Sequence, residues 1–348
     1  MAASLSQPGP AALFAAVARS RAQGWEDVVE GVRPFLTQVT QRLAAQVDAF
    51  EPEIAEYARY ALSNQGKQLR PALVGLAART VGEWNEDLVT VAVIIEMVHL
   101  ATLVHDDIMD GAALRRMRPT LAAKWGADVA VLVGDCLFAH ALNLAAAFPT
   151  TEVSRAIARS THVVCSGEIL QTLRRRRWAM NRAEYFKMLE MKTAELFALA
   201  CDLGVMLGGG TDTQRAALRG FGLSLGTAYQ VYDDCLDLFG SEDDAGKSLG
   251  TDLARGKVTL PLLAFLERAQ PAERAQMIGW LERWDPSYFV GVRSLVEQHH
   301  GLEVSRAEID TLLSGGRRLL EALPAGRPRE ALGAIAEILS EQTAALGV

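Results

Sequence analysis

Hydrophobic residues recur with helical spacing along almost the whole chain, and the alternation that makes β-strands is nearly absent. Residues 89–110, VTVAVIIEMVHLATLVHDDIMD, are apolar nearly all the way round, which is typical of a helix in the centre of a bundle. Runs of the same character occupy residues 127–148, 185–207 and 218–240. Because four helices of about 20 residues can enclose a common core, the pattern predicts an all-α fold, a single-domain helical bundle.

Short segments rich in glycine and proline separate these runs, and none is long enough to link two domains. We therefore expect one domain from residue 26 to residue 348, with short peripheral helices after Trp280, where the chain becomes more polar. Residues 1–25 are rich in alanine and lack acidic side chains. A targeting peptide shares this composition, but the cationic start of a secretory signal is missing, so a frayed N-terminal extension is the simpler interpretation.

The composition narrows the class of protein. The chain has 348 residues, 50% of them hydrophobic, which is enough to bury a large core. Its 35 basic and 42 acidic residues give a formal net charge of −7, which argues against nucleic-acid binding. The four cysteines are far apart and form no CxxC pair, so we expect a cytoplasmic protein with reduced thiols and no zinc site. We find no uninterrupted apolar stretch of about 18 residues and expect no membrane span.

Two aspartate-rich segments end two of the apolar runs. HDDIMD at residues 105–110 and YDDCLD at residues 232–237 both contain the pattern DDxxD. Residues four apart lie on one helix face, so each segment presents a pair of carboxylates, and its middle aspartate points about 100° away. The pairs are Asp106 with Asp110 and Asp233 with Asp237, and the middle residues are Asp107 and Asp234.

Carboxylates crowded at a helix C-terminus repel one another and oppose the helix dipole, so they are destabilising unless a cation is near. Oxygen ligands suit a hard divalent ion, and Mg²⁺ commonly divides its ligand shell among carboxylates, water and substrate phosphates. Two facing carboxylate pairs therefore predict a polyphosphate held through Mg²⁺. A single DDxxD segment fits a solvated helix end equally well, whereas two copies in matching apolar contexts favour the metal site.

Basic residues near the apolar runs supply the complementary charge. NQGKQLRPAL places Lys67 and Arg70 three residues apart, on one face at the start of a helix. In a net-acidic protein, isolated cations beside apolar helices favour diphosphate binding, since arginine forks match phosphate oxygens. Each one taken singly fits a solvated surface charge equally well. The other candidates are Arg115, Arg116, Arg118, Lys192, Thr193, Lys247 and Lys257.

In these motifs the chain closely resembles the trans-isoprenyl diphosphate synthases, the polyprenyl synthetase family. GKQLRP is similar to the family's GKxxRP, LVHDDIMDGAALRRMRPT to its first aspartate-rich motif, and AYQVYDDCLDLFG with GKSLGTDLARGKVTLPLL to its second. The resemblance runs from about residue 55 to about residue 265, with the motifs in the family's order. It implies an all-α bundle around a deep central cavity, usually homodimeric, with both aspartate motifs at the cavity mouth.

The implied reaction is head-to-tail condensation of isopentenyl diphosphate with an allylic diphosphate. By motif position, the isopentenyl diphosphate ligands are Lys67, Arg70, His99 and Arg116. The allylic diphosphate ligands are Arg115, Lys192, Thr193, Gln230, Lys247 and Lys257. Mg²⁺ is assigned to Asp106, Asp110 and Asp233, supported by Asp107, Asp234 and Asp237. The catalytic assignment comprises Asp106, Asp107, Asp110, Lys192, Thr193, Gln230, Asp233 and Asp234. His105, on an apolar helix, is expected to be a core residue.

Two positions depart from the family pattern. Met117 stands where a glycine usually follows the arginine pair, and Gln68 stands where a second basic residue is common. Neither change removes a metal or phosphate ligand, so the effect is expected on isopentenyl diphosphate affinity rather than on activity itself.

Product length is expected to depend on the cavity wall below the first aspartate motif. In this family, bulky aromatics five residues before the first aspartate stop growth at short products. That position is Ala101 here, with Val98 another turn deeper. Phe138 and its neighbours Leu137 and His140 are the candidates for the floor, and helical phase does not decide among them. The small residue predicts a product of geranylgeranyl size or longer.

The arginine run of TLRRRRWAM, Arg174 to Arg177, is not expected from the family pattern. Four arginines and a tryptophan predict a weak contact with an anionic membrane surface, whereas a solvated loop is the simpler interpretation.

Three other functions share some of these features. A terpene cyclase or head-to-head synthase also ionises allylic diphosphates, but it lacks a second-substrate cluster such as Lys67, Arg70 and His99. A non-catalytic regulatory subunit predicts broken aspartate motifs, and both motifs are intact here. A metal-binding scaffold explains the acids but not the spaced cations.

Overall fold

The computed structural model describes residues 24–241 and 249–347, and these are almost entirely helical. Residues 24–30 are helical and are followed by α1 (Arg33–Ala45), α2 (Pro52–Leu62), α3 (Leu69–Arg79), α4 (Glu86–Met109), α5 (Leu121–Trp125), α6 (Ala127–Ala146) and α7 (Thr151–Leu173). The next helices are α8 (Arg182–Leu189), α9 (Glu195–Leu207), α10 (Asp212–Phe239), α11 (Thr251–Ala254) and α12 (Leu260–Arg268), with a π-helical segment, Glu190–Ala194, between α8 and α9. The last are α13 (Pro271–Glu282), α14 (Phe289–Gln298), α15 (Gly301–Leu319) and α16 (Arg327–Ala344). Short 3₁₀ turns lie at Gln46–Ala49, Pro286–Tyr288 and Leu320–Ala322. The all-α prediction is confirmed.

One continuous core runs through the described residues. Its buried apolar side chains extend from Val28 to Leu346. Nearly all of the predicted N-terminal extension, residues 1–25, lies outside the described residues.

The central helix α4 is buried on almost every side, as its apolar sequence predicted. It packs against α6, α3, α1 and α9. The side chain of Asn85 begins the helix by accepting a 2.9 Å hydrogen bond from the backbone N–H of Leu88. The helix ends at Met109, so the first aspartate motif lies at its C-terminal end.

The second aspartate motif lies on α10, which packs between α9 and α15. α15 has 19 residues, and its buried side chains include Leu302, Ile309 and Leu313. The prediction of only short peripheral helices after Trp280 is therefore wrong for α15. The polar residues that suggested a peripheral position lie on the outer face of an amphipathic helix whose apolar face supports α10.

By length and apolar composition alone, α4 and α6 are each long enough to cross a membrane. Glu96 interrupts the apolar run of α4 and Asp135 that of α6, so the expectation of no membrane span stays a prediction. The apolar character of α4 is explained by its burial inside the bundle. Only about a third of the most apolar part of α6 is buried, so much of its apolar surface faces outward.

A short antiparallel hairpin that the sequence pattern did not predict follows the first aspartate motif. Leu114–Arg115 pairs with Arg118–Pro119 across a two-residue turn. Arg116 and Met117, the turn residues, have φ of +51° and +61°. Positive φ favours glycine, which gives a physical reason for the glycine that usually occupies the position of Met117.

Candidate active site

The first aspartate motif has two partly exposed carboxylates, Asp106 and Asp110, which define what we call the mouth, and one buried carboxylate, Asp107. Asp106 and Asp110 are half-buried, whereas Asp107 is buried and accepts a 2.7 Å hydrogen bond from Nε of Arg115. Burial raises the pKa of both Asp106 and Asp107, because a carboxylate that loses water favours its neutral form. The helical spacing thus separates an outer pair from an inner, paired aspartate, as predicted.

In the second motif, both carboxylate oxygens of Asp234 accept hydrogen bonds. The hydroxyl of Tyr185 donates to Oδ2 at 2.7 Å, and Nε2 of Gln230 donates to Oδ1 at 3.0 Å. The hydroxyl of Thr193 in turn donates to Oε1 of Gln230 at 2.8 Å. Burial and the charge of Asp252 nevertheless raise the pKa of Asp234 to about 7. Asp234 is therefore an internal, fully bonded group.

Asp237 is also buried and fully engaged. Its Oδ1 accepts a 2.7 Å hydrogen bond from the Thr251 hydroxyl, and its Oδ2 accepts a 3.0 Å hydrogen bond from the backbone N–H of Asp252. These bonds attach α11 to α10. Asp233, by contrast, is half-buried and makes no hydrogen bond or ion pair within residues 24–241 and 249–347. Within the part of the chain that the structure describes, Asp233 is thus the carboxylate of the second motif that has no partner.

Lys192 and Thr193 lie in the π-helical segment, a local widening that is frequent at functional sites. The backbone of this segment lies against α7 at Gly167. A Cβ atom on Gly167 would lie 2.7 Å from the backbone nitrogen of Lys192, so the contact needs a residue without a side chain.

The ammonium of Lys192 bridges α7 and the first aspartate motif. Its Nζ donates a 2.9 Å hydrogen bond to Oε1 of Gln171 and forms an ion pair with Glu168. It also lies 3.7 Å from Oδ2 of Asp106. Lys192 is therefore held at the mouth, where an anion bound beside Asp106 would reach it.

The open carboxylates suit a metal that is partly coordinated by substrate. Among the described residues, no three His, Cys, Asp or Glu side chains converge to form a closed metal site. Asp106, Asp110 and Asp233 are half-buried oxygen donors, and Mg²⁺ accepts one or two carboxylates when phosphate oxygens and water supply the rest. The donor set fits Mg²⁺ shared with a diphosphate.

A second cluster of charges surrounds Arg70, at the start of α3. The Arg70 guanidinium lies 4.6 Å from the centroid of the Phe197 ring, and its Nε is buried without a hydrogen-bond partner in the described part of the chain. Glu96 is only 3% exposed, and burial raises its pKa while Arg70 and Arg116 oppose this effect. Burial, with Arg70 and Arg116, lowers the pKa of His99 well below its usual value. His99 is therefore neutral near pH 7.

Arg116 joins the GKQLRP segment to the first aspartate motif. Its guanidinium donates to the backbone carbonyl of Asn64 and lies over Gly66. A Cβ atom on Gly66 would collide with this guanidinium. The glycine of GKQLRP therefore leaves room for Arg116 beside the Arg70 cluster.

Lys67 does not share a helix face with Arg70. α3 begins at Leu69, after Gln68 with φ +50°, so Lys67 lies exposed in the preceding bend. The predicted helical spacing of the two cations is wrong, because the helix starts two residues later than expected.

The predicted allylic ligands after the second motif are only partly described. Lys247 lies outside the described residues. Nζ of Lys257 donates a 2.8 Å hydrogen bond to Oδ1 of Asp252. Burial lowers the pKa of Lys257, but the nearby charges of Asp252 and Asp110 outweigh it and raise the pKa overall. Lys257 is therefore a charged group that faces both aspartate motifs.

The arginine run after α7 does not lie wholly on the surface. Arg174 and Arg175 are half-buried, and only Arg176 and Arg177 are exposed. Arg174 lies 3.4 Å from Oε1 of Glu184 and lines a cavity of about 20 Å³ behind Asp234. Only two of the four arginines, Arg176 and Arg177, are therefore exposed enough to make the predicted membrane contact.

The proposed chain-length wall lies in the α4 core. Ala101 and Val98 are buried. Phe138 is half-buried, with its ring centroid 5.8 Å from that of His105. His105 directly precedes Asp106, so Phe138 lies level with the aspartate motif and not deeper than Ala101, which does not favour Phe138 as a floor. His105 contacts α6 through Val131, whose carbonyl is 3.1 Å from Nε2, but its side chain is 26% exposed, so it lies at the edge of the core and not inside it as expected.

Several residues at the site were not predicted from the sequence. Glu168 and Gln171 are three apart in GEILQTL, a spacing that would have placed both on one helix face. The others carried no local signal, because a long-range partner defines their position. They are Glu96, Arg175, Tyr185 and Arg255.

Known proteins are similar to this chain in sequence and in architecture. The family profile described as Polyprenyl synthetase matches residues 51–288. A short chain isoprenyl diphosphate synthase of Methanothermobacter thermautotrophicus is 31% identical over 321 residues, covering 91% of this chain and 99% of that protein. Heptaprenyl diphosphate synthase component 2 of Geobacillus stearothermophilus is 35% identical over 295 residues, covering 84% of this chain and 91% of that protein.

A solved structure repeats the fold over almost the whole chain. It is the crystal structure of a polyprenyl synthase from Caulobacter crescentus complexed with calcium and isoprenyl diphosphate. The TM-score is 0.85 and the identity is 33%, and the match covers 91% of this chain and 97% of that one.

Proposed function

Because the chain belongs to the polyprenyl synthetase family and is a prenyltransferase, we propose that it condenses isopentenyl diphosphate head to tail with an allylic diphosphate, using Mg²⁺. The main observation that supports this proposal is that one molecule contains two charge clusters, the aspartate carboxylates and the residues around Arg70. The partly exposed carboxylates of Asp106, Asp110 and Asp233 suit a metal-bound diphosphate, and the Arg70 cluster suits a second diphosphate.

The allylic half of the site is the carboxylate mouth. Asp106, Asp110 and Asp233 would hold Mg²⁺, which when bound supplies positive charge against the departing diphosphate. Lys192 and Lys257 provide further positive charge there. Asp107, Asp234 and Asp237 orient the surrounding side chains, because their oxygens already accept hydrogen bonds from the protein.

The isopentenyl half is the Arg70 cluster. Arg70 and Arg116 carry the charge that a diphosphate needs, and neutral His99 can donate a hydrogen bond to it. Buried Glu96 lies near both guanidiniums and compensates part of their charge. The buried helices around both halves exclude water, which protects an allylic cation from capture.

We propose a product of geranylgeranyl size or longer. The small side chain of Ala101 supports this, since five residues before Asp106 it occupies less volume beside α4 than an aromatic side chain would. The deep cavity that would hold the growing chain stays a prediction from the family resemblance. The relatives carry names for short-chain and heptaprenyl products, so the family alone does not fix the length.

We also propose that the protein is a cytoplasmic homodimer in which a second copy covers α6 and α7. Leu132 of α6 is 63% exposed, and Ile169 and Leu173 of α7 are 59% and 69% exposed. These two helices are in contact, and exposed apolar side chains on neighbouring helices are typical of an interface. The name of the Geobacillus relative, component 2, describes a protein with another component, so a different partner is the alternative occupant.

The test is a product assay. The purified protein is incubated with Mg²⁺, farnesyl diphosphate and labelled isopentenyl diphosphate, and the products are sized after dephosphorylation. The proposal predicts labelled chains of geranylgeranyl size or longer. Products no longer than farnesyl would contradict the proposed length, and the absence of any labelled chain would contradict the activity.

A further inference from the structure

The turn between α7 and α8, residues 174–177, reaches across to the first aspartate motif. NH2 of Arg175 lies 3.4 Å from Oδ1 of Asp110, and NH1 of Arg255 lies 3.1 Å from Oδ2 of the same carboxylate. Arg255 also donates a 2.5 Å hydrogen bond to the backbone carbonyl of Asp110. One carboxylate at the mouth thus contacts two guanidinium groups from two separate segments.

A neighbouring contact fixes the two segments against each other. The backbone N–H of Arg176 donates a 2.7 Å hydrogen bond to the carbonyl of Gly256. A Cβ atom on Gly256 would collide with Cγ of Arg176, so the approach needs glycine. Arg176 itself has φ +61°, a conformation that costs free energy for a residue with a side chain. Arg175 and Arg255 are each one residue from this contact, so their positions are coupled.

The pair carries more positive charge and more donors than Asp110 uses. Two guanidiniums around one carboxylate leave a net charge of about +1. Nε of Arg175 is buried and has no hydrogen-bond partner among the residues that the structure describes. Lys257 also faces Asp110 closely enough for the carboxylate to raise its pKa. An anion with several oxygens would satisfy these donors.

We propose that Arg175 and Arg255 bind the diphosphate of the allylic substrate and stabilise it as it leaves. This rests on the proposed function and adds two ligands that neither aspartate motif nor the other assigned cations include. When the C1–O bond of the allylic diphosphate breaks, both bonding electrons stay on the diphosphate oxygen, and C1 becomes cationic. The isopentenyl double bond then bonds to C1, and the proton that the isopentenyl unit loses passes to the released diphosphate. The guanidiniums act on the charge that grows on the diphosphate in the first step.

The test compares Arg175→Gln and Arg255→Gln with Arg177→Gln. Arg177 lies in the same turn, is exposed and makes no ion pair with any described residue, so its variant removes an equal charge without a contact. Calorimetric titration with inorganic pyrophosphate and Mg²⁺ measures binding of the leaving group. We expect about tenfold weaker binding for each site variant, since hydrogen bonds between charged groups are among the strong ones. Arg177→Gln is expected to stay within about twofold of the wild type.

Steady-state kinetics separate binding from a merely structural tether. The KM for the allylic substrate should rise in both site variants while the KM for isopentenyl diphosphate stays unchanged, and Arg175→Lys should recover part of the loss. The proposal would be overturned if Arg175→Gln and Arg255→Gln bound pyrophosphate as well as Arg177→Gln does. Tighter binding by these two variants, because Asp110 is freed to bind the metal, would also overturn it. An equal rise in both KM values, with a lower melting temperature, would also overturn it. A wild-type protein that binds pyrophosphate but forms no prenyl product would instead refute the proposed function.

Discussion

The Tyr185 hydroxyl donates a 2.7 Å hydrogen bond to Oδ2 of Asp234, a residue 49 positions further along the chain. Gln230 occupies the other oxygen of Asp234. The middle aspartate of the second motif therefore orients its neighbours, whereas Asp233 beside it is partly exposed and has no partner among the described residues. The first motif has the same arrangement, with Asp107 bonded to Arg115.

Tyr185→Phe should weaken both the fold and the reaction. The Tyr185 side chain is buried, and phenylalanine would fill nearly the same volume. Asp234 would lose the hydrogen bond that the tyrosine hydroxyl donates. We expect the free energy of unfolding to fall by about 1–3 kcal/mol and kcat to fall about tenfold. Denaturant titration and steady-state kinetics check this.

The control for that variant is Tyr288→Phe. The Tyr288 ring stacks on Trp280 and its hydroxyl makes no hydrogen bond among the described residues, so the change should be nearly neutral. Equal losses of unfolding free energy and of kcat in the two variants would show that the hydrogen bond to Asp234 does not contribute to stability or catalysis.

His99→Gln should change how stability depends on pH. The folded protein holds the pKa of His99 well below its usual value, whereas the unfolded chain binds this proton near pH ~6.5. Between the two values the unfolded state binds more protons, so the wild type loses stability as the pH falls below about 6.5. Melting temperatures from pH 7 to pH 5 should fall more steeply for the wild type than for His99→Gln. Parallel curves would contradict the neutral, buried histidine.

Ala101→Phe should shorten the product. Ala101 is fully buried one turn below Asp106, so a phenyl ring there would occupy the space proposed for the growing chain. Overpacking costs about 1–3 kcal/mol, so the melting temperature is measured alongside the product sizes.

Val98→Ala is the matched variant with the opposite expectation. It removes volume one turn deeper than Ala101 and should leave the product length unchanged or increase it. A folded Ala101→Phe protein with the wild-type product distribution would show that this wall does not limit growth.

Leu132→Glu should dissociate the proposed dimer. A charge placed in a buried apolar interface costs several kcal/mol, which is enough to shift a dimer towards monomer at micromolar concentration. Light scattering after size exclusion measures the mass. Val290→Glu, at a side chain 74% exposed on α14, is the control and should keep the wild-type mass. A monomeric wild type would exclude the homodimer.

Helical periodicity predicted the large elements well because α4, α6 and α10 bury apolar residues over many turns. It also separated Asp106 and Asp110 from Asp107, since that division follows from local helix geometry alone. It failed at Lys67, where a left-handed Gln68 delays the helix start. The hairpin at Leu114–Pro119 was missed because Arg116 and Met117 are not typical turn residues.

Long-range contacts set the rest of the site. The sequence marks Arg174 to Arg177 only as a charged run, and such runs are usually solvated. Its inward path depends on a backbone contact with Gly256, about 80 residues away. Glu96 and Tyr185 gave no signal either, because one sits in an apolar helix and the other acts through a distant aspartate.

The central claim is that one site holds two diphosphate substrates and joins them. The most direct measurement is diphosphate release with Mg²⁺, using isopentenyl diphosphate and farnesyl diphosphate separately and together. The account predicts rapid release only with both substrates, and at least about 100-fold slower release in Asp106→Asn and Asp233→Asn. Release from farnesyl diphosphate alone, at the same rate and without isopentenyl incorporation, would contradict it.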